Sequence, residues 1–323
     1  MGKGSVQRFL CSCAGILIFA SLFSGCASQP VSDKVTVRIA MLPILDTIPL
    51  YLAQEAGYFS AERVNVEFIP VGSAAERDQV IAAGRADGMI NDLVSVVLYN
   101  RQGVTVQVVR FMRVATQKAP LYRIVASPKS GIKTVSDLAG VPIGISQGSI
   151  IDYITDRLLQ SGGLASDQIK TIAVPKIPER MALLSSGELK AATLPEPFAT
   201  LAIQNGAVVI TDDSAHPEFG NSVISFHKTF LDQHPTAVQG FLKAVEKAVN
   251  DINTTPEKGR TILTKYNLVP PNLAASYPMP AFPAASLPTQ AQFDSVAQWA
   301  LVKGLVDRTV PYAGSVVAFL VKP

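Results

Sequence analysis

The sequence has very little cysteine, histidine and tryptophan. Of its 323 residues, three are cysteine, three are histidine and one is tryptophan. Cys11, Cys13 and Cys26 all lie in the first 26 residues, so the rest of the chain has no thiolate nucleophile, no cysteine metal site and no disulfide. The histidines lack the spacing of metal ligands on one helix. We therefore expect no metal site and no cofactor.

Charge of one sign and long apolar runs are also scarce beyond the N-terminus. Residues 1–26 hold two basic and no acidic residues, so 26 basic and 25 acidic residues remain after them. No basic run indicates a nucleic-acid partner. No later apolar run is long enough to span a bilayer. The hydrophobic fraction of 48% is typical of a globular protein, and the length suffices for two domains.

The N-terminal segment predicts export and lipid attachment. Basic residues precede an apolar stretch over 9–23, and Phe23-Ser-Gly-Cys26 resembles the lipobox of bacterial lipoproteins. We expect 1–26 to be a signal peptide that ends at the lipidated Cys26, and 27–34 to be a tether. The protein would then be an extracytoplasmic lipoprotein anchored to the membrane. The alternative is an ordinary secretory signal cleaved near Ala27.

Strand-like and helical segments alternate along the rest of the chain. Residues 35–42 predict a strand and 49–56 a helix, and the same order repeats, then restarts over 121–210. This order predicts an α/β fold of parallel sheets with helices on their faces. Residues 223–226 predict a strand that returns to the first sheet, and 230–252 predict one long amphipathic helix.

The return strand predicts a discontinuous first domain. We expect domain I to comprise 35–115 and 220–323, and domain II to comprise 116–219. The two crossovers between the domains would form a hinge.

Four motifs, in this order along the chain, resemble those of a known family. They are Pro49-Leu-Tyr-Leu-Ala-x-Glu-x-Gly-Tyr-Phe59, 83–88, 140–149 and 187–197. They resemble the solute-binding proteins of bacterial ABC importers of the nitrate/sulfonate/taurine type, a group that includes binding proteins for thiamine pyrimidine precursors. The resemblance covers roughly 35–305. It implies a two-lobe, type II periplasmic binding-protein fold, a small solute held between the lobes, an ABC permease as partner, and a monomer.

In open α/β sheets, ligands bind beyond the carboxyl ends of the strands. That rule selects polar residues that follow predicted strands, and the resemblance places ligand contacts in the same loops. The candidates for ligand binding are Asp46, Thr47, Ser73, Asn91, Asp92, Gln147, Gly148, Ser149 and Glu196. Arg77, in the second helix, is a further candidate because it can supply positive charge, as can Arg113 and Arg180.

Each candidate also has a purely structural interpretation. Ser73, Asp92 and Ser149 are good helix N-caps, and a cap alone explains them. Asp46 is also explained as a solvated loop acid, and Glu196, between two prolines, as an exposed carboxylate on a rigid turn. Three tyrosines are candidates for stacking on a ligand or for the core: Tyr99, Tyr122 and Tyr153.

The carboxylates bear on the class of ligand. Asp46, Asp92 and Glu196 are predicted at one cleft mouth, where they would disfavour an anion. This favours a pyrimidine-like or other N–H-rich heterocycle, with a nitrate- or sulfonate-type anion as the alternative.

Two other functions stay open at this stage. A sensory receptor would bind a solute in the same way without delivering it to a permease. A biosynthetic enzyme on the same fold is the other possibility, which export and the absence of a cysteine after Cys26 disfavour.

Overall fold

Two five-stranded sheets form the framework of residues 34–319, the part of the chain that the computed structural model describes. The strands are β1 (Thr36–Met41), β2 (Asn65–Pro70), β3 (Gly88–Asn91), β4 (Val106–Val114), β5 (Tyr122–Ala126), β6 (Pro142–Ile145), β7 (Lys170–Ala173), β8 (Ala191–Pro195), β9 (Val208–Asp212) and β10 (Asn221–His227). The first sheet has the order β2-β1-β3-β10-β4, and the second has the order β7-β6-β8-β5-β9. Each sheet is the centre of one lobe.

Each sheet is mixed rather than purely parallel. In the first sheet, β10 runs antiparallel to both of its neighbours, and in the second sheet β5 does the same. The prediction of parallel sheets is wrong for these two strands because hydrophobic periodicity carries no information about strand direction. The predicted return of the chain to the first sheet is confirmed by β10, which pairs with β3 and β4.

Helices cover both faces of both sheets. They are α1 (Ile48–Glu55), α2 (Tyr58–Ala61), α3 (Ala74–Ala82), α4 (Leu93–Tyr99), α5 (Ile150–Ser161), α6 (Ile177–Ser186), α7 (Phe198–Gln204), α8 (Lys228–Gln233), α9 (Pro235–Thr254), α10 (Pro256–Lys265), α11 (Pro271–Ala274) and α12 (Gln290–Val302). The single helix predicted over 230–252 is two helices. Pro235 begins the second one, where its missing N–H costs nothing.

The apolar core runs through both lobes without a break. One cluster contains the apolar faces of α4, α5 and α12 together with residues from both sheets. In this cluster, the Trp299 indole of α12 donates to Asp156 Oδ2 of α5 at 2.7 Å and packs edge-on against Tyr153. A second cluster fills the other face of the first sheet, and a third fills the other face of the second sheet. Helix α12 therefore contacts elements of both lobes.

Two crossovers, 115–121 and 213–220, connect the lobes and bond to each other. The backbone N–H of Ala115 donates to Gly220 at 3.3 Å. Asp213 Oδ1 accepts from the N–H groups of Leu121 at 2.8 Å and Tyr122 at 3.2 Å. The predicted domain boundaries at 115/116 and 219/220 fall inside these crossovers and stay predictions.

The predicted signal peptide, the lipidation of Cys26 and nearly all of the predicted tether lie outside the described residues. Within 34–319, no helix is long and apolar enough to cross a membrane.

Candidate ligand-binding site

A cavity of about 80 Å³ lies at the carboxyl ends of the parallel strands of both sheets. Loops that follow β1, β2, β3, β6 and β7 contribute to its wall, as do the end of β8 and the starts of β5 and β10. Its polar lining residues are Asp46, Ser73, Arg77, Asn91, Asp92, Tyr122, Ser146, Ser149 and Ser222. Its apolar lining residues are Leu42, Ile44, Ala74, Ile90, Ile150, Ile151, Pro175, Ile177 and Pro195. A small solute with a polar end and an apolar body could contact both kinds of side chain in this cavity.

Six of the ten candidate residues line this cavity: Asp46, Ser73, Arg77, Asn91, Asp92 and Ser149. The other four are not among its lining residues. Thr47 is fully buried and donates to the Ile44 carbonyl at 2.7 Å, and Gln147 is exposed. Gly148 adopts a φ of 68°, which favours glycine.

Three polar lining residues are absent from the predicted set. Ser146 follows β6 directly, so the strand-end rule contains the signal that selects it. Tyr122 is predicted only as a residue that stacks on a ligand or belongs to the core. Ser222 lies at the start of β10. The position of this strand in the first sheet depends on a crossover between the lobes, which a local sequence pattern does not predict.

Two helices direct their N-termini at the cavity. Ser73 caps α3 by accepting from the Glu76 N–H at 3.1 Å, and Ser149 caps α5 by accepting from the Ile151 N–H at 3.2 Å. The N–H groups of Ala74 and Ile150, at the first helical positions, have no acceptor inside their helices. Both residues line the cavity, so backbone donors and the positive ends of two helix dipoles lie at its wall.

Asp46 does not face the cavity as an isolated acid. Its Oδ1 lies 3.1 Å from Nη1 of Arg113, and both residues are at most 5% exposed. Arg113 is at the end of β4 and reaches across the sheet edge to the loop after β1. The charge of Asp46 is therefore compensated by the protein.

Asp92 also has an arginine partner, Arg77, which it shares with Asp78. It caps α4 by accepting from the Ser95 N–H at 2.9 Å, and its other oxygen lies 3.7 Å from Nη1 of Arg77. Burial raises the pKa of Asp92, and Arg77 opposes this effect. Burial would lower the pKa of Arg77, but Asp78 and Asp92 outweigh it and raise that pKa, so Arg77 stays charged. Arg77 also donates to Asp78 at 2.9 Å and to Ser95.

Glu196 lies outside the cavity lining and is buried, not exposed. It lies 3.2 Å from Nε of Arg123, and its other oxygen accepts from Thr200 at 2.7 Å and from the Tyr277 hydroxyl at 2.9 Å. Tyr277 belongs to the core of the first lobe, whereas Glu196 follows β8 in the second. This contact joins the lobes.

Two buried polar groups of the cavity have no hydrogen-bond partner among the described residues. They are Nδ2 of Asn91 and the hydroxyl of Ser222, in residues 2% and 4% exposed. Ser225 donates to Oδ1 of Asn91 at 2.7 Å, which fixes that amide with its NH₂ group unpaired. Burial raises the pKa of the Tyr122 phenol, with Asp92 and Asp46 adding to the effect, so Tyr122 also keeps its proton. A solute with acceptor oxygens would satisfy these donors.

Within 34–319, no group of three or more histidine, cysteine, aspartate or glutamate residues is placed to hold a metal ion. Neither cysteine nor histidine lines the cavity.

Comparisons with known proteins agree with this architecture. A protein of Haemophilus influenzae assigned provisionally to thiamine biosynthesis is 21% identical over 239 residues, which cover 72% of this chain and 74% of that protein. The alkanesulfonate-binding protein SsuA of Xanthomonas axonopodis pv. citri, bound to MOPS, superposes with a TM-score of 0.72 at 17% identity, over 88% of this chain and 98% of that one.

The ligand-binding component of an ABC-type import system from Staphylococcus aureus, with zinc bound, superposes with a TM-score of 0.73 at 15% identity, over 88% of this chain and 97% of that one. These similarities confirm the two-lobe periplasmic binding-protein fold. The model of the NMT1/THI5-like family matches residues 45–259, which is more than half of the chain. The chain therefore belongs to the NMT1/THI5-like family.

Proposed function

We propose that this protein is the extracytoplasmic solute-binding component of an ABC importer. It would capture a small solute between its two lobes and present it to a membrane permease, acting as a monomer. The observation that carries the proposal is the cavity between the two sheets, two of whose lining residues have a buried polar group without a partner among residues 34–319. The relatives that bind alkanesulfonate or belong to an import system support the same role.

We infer that the solute is a small anion with an apolar body. The preference for an N–H-rich heterocycle depended on uncompensated carboxylates at the cleft. Asp46 and Asp92 each have an arginine partner, and Glu196 lies outside the lining beside Arg123. The groups that remain free are donors, and the apolar lining suits an alkyl chain. The nitrate- and sulfonate-type alternative is therefore favoured over the pyrimidine.

A thermal-shift screen of the full chain in detergent tests this proposal. The panel would hold alkanesulfonates, nitrate, short carboxylates, amino acids and pyrimidines. A ligand at a hundred times its dissociation constant should add about 2.7 kcal/mol to the free energy of unfolding. Stabilisation by sulfonates or carboxylates is expected. Stabilisation by pyrimidines alone would contradict the anionic class, and stabilisation by no member of the panel would contradict the importer role.

Replacing Ser222 with alanine should weaken binding of the best anionic ligand by about tenfold, because a hydrogen bond to a charged group contributes roughly 1.5 kcal/mol. The Ser222 hydroxyl has no partner among residues 34–319, so the melting temperature of the unliganded protein should hardly change. Isothermal titration calorimetry measures the affinity. Ser60→Ala, at an exposed position of α2, is the matched control. Equal affinities for the two variants would place Ser222 outside the binding surface.

We also propose that Cys26 carries a lipid anchor, on the strength of the lipobox-like sequence Phe23-Ser-Gly-Cys26. Expressed with its own N-terminal segment, the Cys26→Ala variant is expected in the soluble fraction after cell lysis, whereas the wild type should sediment with membranes. Immunoblotting of the two fractions checks this, with Cys13→Ala as the control. Continued sedimentation of Cys26→Ala would rule out the anchor.

A further inference from the structure

Arg180 is a buried cation that has no anionic partner among residues 34–319. It lies on α6 and is 0% exposed. Its guanidinium donates only to neutral oxygens: Nε to the Val174 carbonyl at 2.9 Å, Nη1 to the Thr193 carbonyl at 2.8 Å, and Nη2 to the Ser146 hydroxyl at 2.5 Å. Burying a charge without a counter-charge is costly even when its hydrogen bonds are made.

The other arginines of comparable burial differ in this respect. Arg77, Arg110 and Arg113 are 2–3% exposed. Each lies beside a carboxylate: Asp78 for Arg77 at 2.9 Å, Glu246 for Arg110 at 2.8 Å, and Asp46 for Arg113 at 3.1 Å. Burial lowers the pKa of Arg180 to about 10, so it keeps its charge at neutral pH. Among these four buried arginines, Arg180 is thus the one whose charge no carboxylate of residues 34–319 balances.

Arg180 stands directly behind the wall of the cavity. Two of its acceptors, the Ser146 hydroxyl and the Pro175 carbonyl (3.4 Å), belong to residues that line the cavity. Because Ser146 Oγ accepts from Arg180, its own proton must be donated elsewhere. It is donated to the Pro175 carbonyl at 3.2 Å, a distance longer than the usual length of about 2.7–2.8 Å for such a bond. An anionic oxygen in the cavity, which Ser146 lines, would compete for this proton.

We propose that Arg180 selects a negative charge in the cavity, with the bound anion as its missing counter-charge and Ser146 as the group through which it acts. This inference rests on the proposed function, since it takes the cavity as the solute site. Arg180 is a positioning residue that does not itself touch the solute. The solute class that follows is a small organic monoanion, whose oxygens meet Ser146 on the second lobe and the unpaired groups of Asn91 and Ser222 on the first.

Titration calorimetry of the full chain in detergent tests the inference with two probes of nearly equal shape. Propane-1-sulfonate is anionic, and methyl propyl sulfone replaces one charged oxygen with a methyl group. The wild type should bind the sulfonate more tightly. Arg180→Gln should reduce the ratio of the two affinities by about tenfold or more, because a full charge near a low-dielectric site is lost. Arg180→Lys, which keeps the charge, should retain most of the ratio.

Two further variants complete the experiment. Ser146→Ala, at a half-buried position, should weaken sulfonate binding by about tenfold and sulfone binding by less; it decides the question if Arg180→Gln does not fold. Arg85→Gln, at an exposed position of the first lobe, should leave the ratio unchanged.

The outcomes separate this inference from the proposed function. An Arg180→Gln protein that folds and keeps the wild-type ratio overturns the role of Arg180, as does a Ser146→Ala protein with unchanged sulfonate affinity. A wild type that binds solutes of the panel without any preference for charge overturns the inference and leaves the importer role standing. A wild type that binds no solute of the panel overturns both.

Discussion

Replacing Arg113 with methionine is expected to lower the free energy of unfolding by about 3–5 kcal/mol. Arg113 and Asp46 form a buried pair, 3.1 Å apart, at the edge of the first sheet. Methionine fills much of the volume but leaves the Asp46 carboxylate buried without a counter-charge. Urea denaturation monitored by circular dichroism measures the loss, provided that both variants unfold in one transition with similar m-values.

Replacing Asp46 as well shows whether the loss of stability comes from the unpaired Asp46 carboxylate. In the double variant Asp46→Asn with Arg113→Met, no charge is left unpaired, so most of the lost stability should return. Arg85→Met is the matched control, since Arg85 is exposed and forms no ion pair within 34–319, and it should change stability by less than about 0.5 kcal/mol. A double variant as unstable as Arg113→Met alone would show that packing, not charge, explains the effect.

The ion pair between Asp46 and Arg113 also changes how the effect of an Asp46 substitution must be interpreted. As a solvated acid at the cleft mouth, Asp46 would affect only binding when replaced. As the partner of Arg113, it affects stability and binding together, because its loss frees a buried guanidinium beside the cavity. Affinity and unfolding free energy must therefore both be measured for any Asp46 variant.

Local sequence signals were sufficient for the elements that depend on local chemistry. The strand over Thr36–Met41, the caps at Ser73 and Ser149, and the return strand after residue 220 all follow from alternation, capping residues and chain order. The strand-end rule also located most of the cavity, because it depends on topology alone.

The remainder depends on contacts between residues far apart in the chain. Arg113 meets Asp46 across 67 positions, and Tyr277 meets Glu196 across 81. No local pattern distinguishes these carboxylates from solvated ones. The predicted acidic cleft mouth therefore missed the arginine partners of Asp46 and Asp92, and it included Glu196, which lies outside the cavity lining. The direction of β5 and β10 was missed for the same reason, since each strand follows a crossover between lobes.

The titration of Asp213 is expected to contribute to the pH dependence of the free energy of unfolding. This carboxylate connects the two crossovers. Its Oδ1 accepts from two backbone N–H groups, and its Oδ2 has no partner within 34–319 and lies against Gly220, where a Cβ would come within 1.8 Å. Burial raises the pKa of Asp213 to about 7, against the two backbone hydrogen bonds and with a further contribution from Asp212.

The sign follows from the direction of this shift. Because the folded state holds the proton more tightly than the unfolded state, the contribution of Asp213 to stability is fully present below pH 4 and is lost as the pH rises through 7. Each pH unit between these limits removes about 1.4 kcal/mol. Asparagine cannot titrate, so the stability of Asp213→Asn relative to the wild type should rise by about 2–3 kcal/mol between pH 5 and pH 8.

Urea denaturation at several pH values, in one buffer of constant ionic strength, measures this difference. Asp294→Asn, at an exposed position of α12, is the matched control and should follow the wild-type curve. Parallel curves for Asp213→Asn and the wild type would mean that Asp213 stays ionised in the folded protein. The crossovers would then be joined by a carboxylate at every pH in this range. If the stability of Asp213→Asn relative to the wild type instead rises by the stated amount, the connection between the lobes is a neutral acid below pH 7 and a buried anion above it. The crossovers are then least stable where that anion forms.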